Sequence, residues 1–185
     1  MRIKLVSIAL ALFLLIAAWP PEADAMKRRE RKVRSKSSGK SSLVLLVTLE
    51  KDEVKKGDSI QLNFILKNKG PEDVTINKRM HLNSKESLKK YRELFLDVVG
   101  PSGEELPCKV NTEKGYPKTD EFVLLAAGKE YPADRPRYIQ RFFDFDKPGV
   151  YKIKATYHNM YGSEIGLKTF TGKIESIVLT LTVIE

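Results

Sequence analysis

The stretch DKPGVYKIKATY, Asp146–Tyr157, decides the fold. After a Pro148–Gly149 bend, Tyr151, Ile153, Ala155 and Tyr157 fall on one side of the chain. Lys152, Lys154 and Thr156 fall on the other. A period of two marks a strand with one buried face. Just upstream, YIQRFFDF (Tyr138–Phe145) reads as a second strand. Ile139, Phe143 and Phe145 can pack into a core, or Phe142 with its neighbours in the other register. Asp144 and Asp146 then face solvent or begin the turn. Carboxylates two apart also occur in metal sites, but calcium takes about six to eight oxygens and no local cluster supplies them. No metal and no cofactor is expected.

Working outward, LVLLVTLE (Leu43–Glu50) is a first strand and SIQLNFILKNKG (Ser59–Gly70) alternates again. Ile60, Leu62, Phe64 and Leu66 share one face of it; Gln61, Asn63 and Lys67 share the other, with Ile65 the exception. VTIN (Val74–Asn77), EFVLLAAGKEY (Glu121–Tyr131) and SIVLTLTVIE (Ser176–Glu185) add further strands. LFLDVVGPSGEEL (Leu94–Leu106) has the form of a hairpin around Gly100–Gly103. NSKESLKKYREL (Asn83–Leu94) is the one helix-like stretch, with Asn83 or Ser84 as its cap and Leu88 and Tyr91 on a common face; it predicts a single turn or short helix in a connection. Residues 107–120 read as a long polar loop, and 159–173 as a loop or a loosely paired hairpin. Many short strands with almost no helix predict an all-β fold, a sandwich or barrel.

The segment Asp146–Ile153 resembles the D-x-G-x-Y-x-C corner of immunoglobulin folds, with one residue more. GDSIQLNF (Gly57–Phe64) resembles the G-x-x-V-x-L-x-C strand of the same group. The resemblance implies a two-sheet antiparallel Greek-key sandwich over residues 43–185, of the disulfide-free immunoglobulin/fibronectin-III-like kind found on secreted bacterial proteins. It places Phe64 and Ile153 where the two core cysteines would stand, and Tyr151 as the corner tyrosine whose hydroxyl bonds back to the backbone. The family's buried tryptophan has no counterpart, since Trp19 is the only tryptophan. The resemblance names a fold and not an activity.

Residues 1–25 have the organisation of a cleavable signal peptide. Arg2 and Lys4 precede the apolar run Leu5–Ala18, and Ala23-Asp24-Ala25 offers a small-x-small cleavage site. This predicts a secreted, periplasmic or envelope location. Cations follow at once, which also fits an uncleaved anchor or an inverted orientation. Residues 26–42 hold eight basic residues and one acid, Glu30, and have no apolar periodicity, so they read as a disordered basic arm. Lys27, Arg28, Arg29, Arg31, Lys32, Arg34 and Lys36 are its candidate anion-binding residues. The rest of the chain is close to neutral, so the high isoelectric point belongs mainly to the arm.

Chemistry is sparsely signalled. His81 and His158 sit in no metalloprotease motif, and there is no G-x-S-x-G elbow and no phosphate loop. Cys108 is the only cysteine, so no intramolecular disulfide forms and about 140 residues of body must stand on their apolar core. It reads as a half-buried structural thiol, and His158 as a surface side chain. The expectation is therefore a non-catalytic binding or structural module of the cell envelope. Its arm would be drawn to an anionic polymer or membrane surface by long-range, salt-sensitive attraction. No aromatic residue interleaves the arm, so specific nucleic-acid recognition is not expected. The alternative is a regulatory or protease-inhibitor-like domain acting on a protein partner.

Overall fold

The computed structural model describes residues 42–87, 93–162, 164 and 166–185. Residues 1–25, read from the sequence as a signal peptide, lie outside the described residues, as do residues 26–41 of the stretch read as a basic arm. The described chain is all-β. Its strands are β1 (Leu43–Leu49), β2 (Glu53–Lys55), β3 (Gln61–Asn68), β4 (Val74–Asn77), β5 (Leu94–Val99), β6 (Phe122–Leu125), β7 (Glu130–Pro132), β8 (Arg137–Tyr138), β9 (Gly149–Asn159), β10 (Gly172–Glu175) and β11 (Leu179–Ile184).

One sheet runs β1–β3–β7, with β8 continuing on the β7 side of β3. A second is built on β9, which has β5 on one flank and β10 followed by β11 on the other. β2 closes that sheet by pairing parallel to β11; the other pairings in both sheets are antiparallel. β4 and β6 form a separate antiparallel pair. The alternation of β3 is followed residue by residue: Leu62, Phe64 and Leu66 are buried while Gln61, Asn63, Ile65 and Lys67 are half-exposed. Both large sheets feed one apolar cluster, with Leu45 and Phe64 from the first and Leu96, Ile153 and Leu181 from the second. Each such side chain contributes about 1.5–3 kcal/mol by leaving water.

β10 and β11 flank the same edge of β9 with a bulge between them. Glu175 stands opposite Thr156 and Leu179 opposite Ile153, so four steps on one strand span three on the other. Ser176 mends the ladder there: its N–H donates to Ala155 O at 2.8 Å and its Oγ accepts from Ala155 N–H at 3.0 Å. The displaced Ile177 and Val178 are exposed.

Gly149 opens β9 at φ 136°, and an added Cβ would lie 2.7 Å from Pro101 Cβ, so the predicted bend needs glycine on both counts. Two tyrosines on the inner face of β9 then anchor loops. Tyr151 Oη donates to Lys147 O at 2.7 Å and accepts from Lys147 N–H at 3.2 Å. Tyr157 Oη does the same for Asn77, at 3.0 and 3.2 Å. Tyr151→Phe removes both bonds to the backbone of Lys147, an exposed residue whose freed groups water can reach. We predict a loss of about 0.5–1.5 kcal/mol in urea unfolding, with an unchanged midpoint counting against the anchoring role.

Three expectations are corrected. Glu121–Tyr131 is not one strand but β6 and β7, which pair in different sheets across an Ala126–Lys129 turn. Tyr138–Phe145 is not a strand either. Ile139–Arg141 forms a 3-10 turn, and the amides of Phe142 and Phe143 both bond to Ile139 O. Its apolar residues still point inward, with Ile139, Phe143 and Phe145 buried and Phe142 half-buried. Thr156 and His158 are buried rather than outward-facing, since both faces of β9 are covered along its second half. The helix-like stretch, expected as a single turn or short helix, does begin with a turn at Ser84–Ser87, closed by Ser87 N–H to Ser84 O, and its residues 88–92 lie outside the described residues. The Leu94–Leu106 hairpin is present in reduced form: β5 turns at Gly100–Gly103 and returns through one bridge, Val99 to Glu105.

Candidate functional site

The densest polar cluster gathers where β4 ends and β5 begins. Arg79 follows β4 and Glu93 immediately precedes β5. Arg79 Nε donates to Glu93 Oε1 at 2.6 Å, and Nη2 reaches the same oxygen. Glu93 Oε2 accepts from His81 N–H at 3.3 Å. The Glu93 side chain is 1% exposed and that of Arg79 12%. Burial raises the Glu93 carboxyl above its ordinary range, with the Arg79 guanidinium pulling in the opposite direction.

This pair holds a loop. Arg79 Nη1 donates to Gly115 O at 2.8 Å and lies 3.6 Å from Glu121 Oε2. Asn83 clamps Thr112 on both backbone groups, its Nδ2 donating to Thr112 O at 2.7 Å and its Oδ1 accepting from Thr112 N–H at 3.1 Å. His81 Nε2 lies 2.8 Å from Thr112 Oγ1. Ser84 N–H donates to Val110 O at 3.2 Å, and Ser87 Oγ to Asn111 Oδ1 at 2.6 Å. Lys118 N–H donates to Glu121 Oε2 at 2.7 Å, and Pro117 is buried. A loop of this length without secondary structure is uncommon in a compact domain and is usually either functional or a disordered linker. Here it is fastened along its length to residues 79–87.

At the centre, Met80 has φ 39°, the one positive φ at a non-glycine among the described residues. It is fully buried, and its carbonyl accepts from Arg137 Nη2 at 3.2 Å. Such a backbone costs on the order of 1–3 kcal/mol and persists because its surroundings impose it.

The loop's outer side carries Tyr116, 70% exposed, whose ring meets that of buried Tyr161 edge-on at 5.6 Å and 81°. Met160, beside Tyr161 in sequence, is also exposed. Burial, then the nearby Glu93, pushes the Tyr161 hydroxyl up to about 12, so it stays a neutral donor. Exposed tyrosines are enriched among the residues that carry binding energy at protein interfaces.

His81 gives this site a pH dependence. Burial lowers its pKa to about 4, with Lys114, Arg79 and Arg137 adding repulsion. The folded chain therefore keeps His81 neutral, while the unfolded chain protonates it near 6.5. Its contribution is intact above pH 6.5 and is lost as pH falls from there toward 4. We predict that His81→Gln flattens the decline of Tm across that window. A decline equal to that of the natural chain would remove His81 from the account.

The residues singled out from the sequence lie elsewhere. Phe64, Tyr151 and Ile153 are buried in the core, with Tyr151 at the turn into β9. Lys27, Arg28, Arg29, Arg31, Lys32, Arg34 and Lys36 lie outside the described residues. Asp144 and Asp146 are exposed, and Asp144 pairs with Lys109 at 2.7 Å. Among the described residues no group of His, Cys, Asp and Glu side chains is placed to hold a metal ion. Cys108 is half-buried beside a groove of about 220 Å³, its Sγ donating to Val110 O at 3.5 Å. Burial pushes its thiol up, away from the thiolate that nucleophilic chemistry needs. Arg79 and Glu93 were not singled out, and Asn83 only as a helix cap: each is an ordinary polar residue in sequence, and only the fold brings them to the loop. No protein-family model matches the chain, and no curated protein matches it significantly.

Proposed function

We propose that the chain is a non-catalytic, extracytoplasmic binding module that meets a protein partner through the fastened loop 107–121. The carrying observation is Tyr116, presented on a loop whose backbone is bound at Thr112 and Gly115. Preorganisation of that kind reduces the ordering cost of association, and an exposed aromatic supplies its apolar contact. The body is best read as an immunoglobulin-like Greek-key sandwich. What supports that reading is the Tyr151 hydroxyl on the Lys147 backbone, a first strand pairing with β3 followed by a short one parallel to the last, and Phe64 and Ile153 in one cluster. In this reading residues 1–25 are a signal segment. The basic arm adds salt-sensitive attraction to an anionic envelope polymer or membrane surface.

Two variants separate the contributions. With the arm's seven cations from Lys27 to Lys36 replaced by Gln, binding to anionic phospholipid vesicles should fall by up to about 10⁵-fold, at about 1 kcal/mol per cation. Tyr116→Ala should leave vesicle binding alone and abolish capture of the protein partner from the cell's own envelope extract. Substrate turnover, or partner capture indifferent to Tyr116, would refute the reading.

A further inference from the structure

We propose that β6 pairs antiparallel, across a two-fold axis centred on Leu124, with β6 of a second copy of this chain. β6 sits in a two-stranded sheet, and among the described residues only β4 pairs with it. The bonds around that pair fix which way its peptide groups point. Lys78 N–H donates to Glu121 O in the register of the pair, so Val123 and Leu125 bond to β4. On β4, the carbonyls of Thr75 and Asn77 turn away from β6, to Phe170 N–H and Tyr157 Oη. Their neighbours across the pair, Leu124 and Phe122, therefore direct their peptide groups outward. Alternation carries Ala126 N–H to the same side, since Ala127 N–H donates to Asp73 Oδ1 just ahead of β4. Edge strands are ordinarily blunted by a charge, a proline or a bulge. FVLL has no charged residue, proline or glycine, and Leu124 is 62% exposed.

Two groups on this edge are already engaged within the chain. Phe122 N–H donates to Thr119 O, and Ala126 O accepts from Lys129 N–H at 3.0 Å. Phe122 O, Leu124 N–H, Leu124 O and Ala126 N–H have no hydrogen-bond partner among the described residues. That remainder is its own complement. With the axis on Leu124, the two Leu124 residues exchange both of their bonds, and each Ala126 N–H meets Phe122 O of the other copy. Four bonds form, and the two groups with no bond across the axis are the two already satisfied at home. An unrelated strand sets a free C=O opposite the engaged Phe122 N–H and loses a bond there. In a second copy that C=O is Ala126 O, which brings its own donor. A one-residue slip destroys the match.

Side chains and charges agree with the pairing. Phe122 and Leu124 share one face of β6, half-exposed and exposed. The two Leu124 side chains then meet at the axis, with Phe122 of each copy beside Ala126 of the other. Asp120 and Glu121, ahead of the strand, come beside Lys129 at the far end of the other copy. With Lys118 and Glu130 included, one end holds one base and two acids and the other one of each, and Glu130 is already paired with Lys67. A parallel copy sets acid beside acid instead. So narrow a contact falls below the ~1,200 Å² of stable complexes, which makes the dimer weak and reversible. Tyr116 takes no part in it, so the pairing stands or falls separately from the binding role proposed for the loop.

By sedimentation, the natural chain should form dimers at ~100 μM, a concentration at which micromolar association is visible. Leu124→Pro removes the outward N–H at the axis and spares the ladder to β4, since proline is tolerated where the N–H faces away from the sheet. It should weaken association at least tenfold, as should Leu124→Lys, which sets two ammonium groups against each other. In a Cys108→Ser background, Leu124→Cys should form a disulfide-linked dimer on mild oxidation, its Cα being about 5.5 Å from that of its counterpart. Ala126→Cys lies roughly 14 Å from its counterpart by the rise of a strand and should stay monomeric. The proposal is overturned by a natural chain that is monomeric at that concentration, by association that Leu124→Pro and Leu124→Lys leave unchanged, or by an Ala126→Cys variant that links as readily as Leu124→Cys. The result on the natural chain stands even if a variant fails to fold.

Discussion

Replacing Glu93 by Ala, with Arg79 left in place, is expected to cost about 3–5 kcal/mol of folding stability. The reason is what stays behind. Arg79 keeps its charge in a site where only 12% of its side chain reaches water, and it loses both bonds to the carboxylate. Glu121 Oε2, 3.6 Å away, is too distant to take over. The His81 amide loses its acceptor at the same time. Replacing both partners together, as Arg79→Met with Glu93→Leu, is expected to recover most of the loss, because no buried charge remains. Urea unfolding of the two variants separates these cases. The double variant still lacks the Arg79 bond to Gly115 O, so the loop should loosen while the core holds. Faster amide exchange at residues 112–117 in a stably folded double variant would record that. A Glu93→Ala chain as stable as the natural one would mean that water reaches Arg79 and that the pair does not hold the loop.

The contrast between that pair and the core marks what the sequence made legible. β3 and the first half of β9 could be read because a strand with one wet face writes its geometry as a period of two. The turn at Pro148–Gly149 and the tyrosine after it were readable as local chemistry. The same rule failed at Thr156 and His158, where the second face of β9 is also covered and the pattern carries no sign of it. It failed again at Ile139–Phe145, where apolar residues four and two apart fit a strand or a helical turn equally well. Ile139 O accepting the amides of both Phe142 and Phe143 decided for the turn.

The loop site was illegible for a different reason. Arg79 and Glu93 lie 14 residues apart, and Asn83 and Thr112 lie 29 apart. Nothing in a single sequence couples residues at such separations. Loop 107–120 was readable as a loop from its turn-rich composition, but its fastening was not. That Met80 sits at positive φ under full burial was equally hidden, since methionine is not a residue from which a left-handed backbone would be expected.

Phe64→Ala is the second large effect, at about 3–5 kcal/mol. Phe64 is 1% exposed in the middle of β3, and its ring belongs to the cluster that Leu45 and Val47 enter from β1 and Ile153 and Leu181 enter from the second sheet. Removing the ring takes its apolar surface out of the core and leaves a cavity that the strands cannot close, because β3 is held in register on both sides, by β1 and by β7 and β8. Asn63→Ala, one residue away on the opposite face, is the control. Its side chain is half-exposed, and substitutions of that kind stay within about 0.5 kcal/mol. Unfolding midpoints should therefore differ sharply between neighbouring positions. Equal effects at 63 and 64 would mean that β3 does not present one face to a shared interior, and the strand argument begun at Asp146–Tyr157 would lose its counterpart in the other sheet.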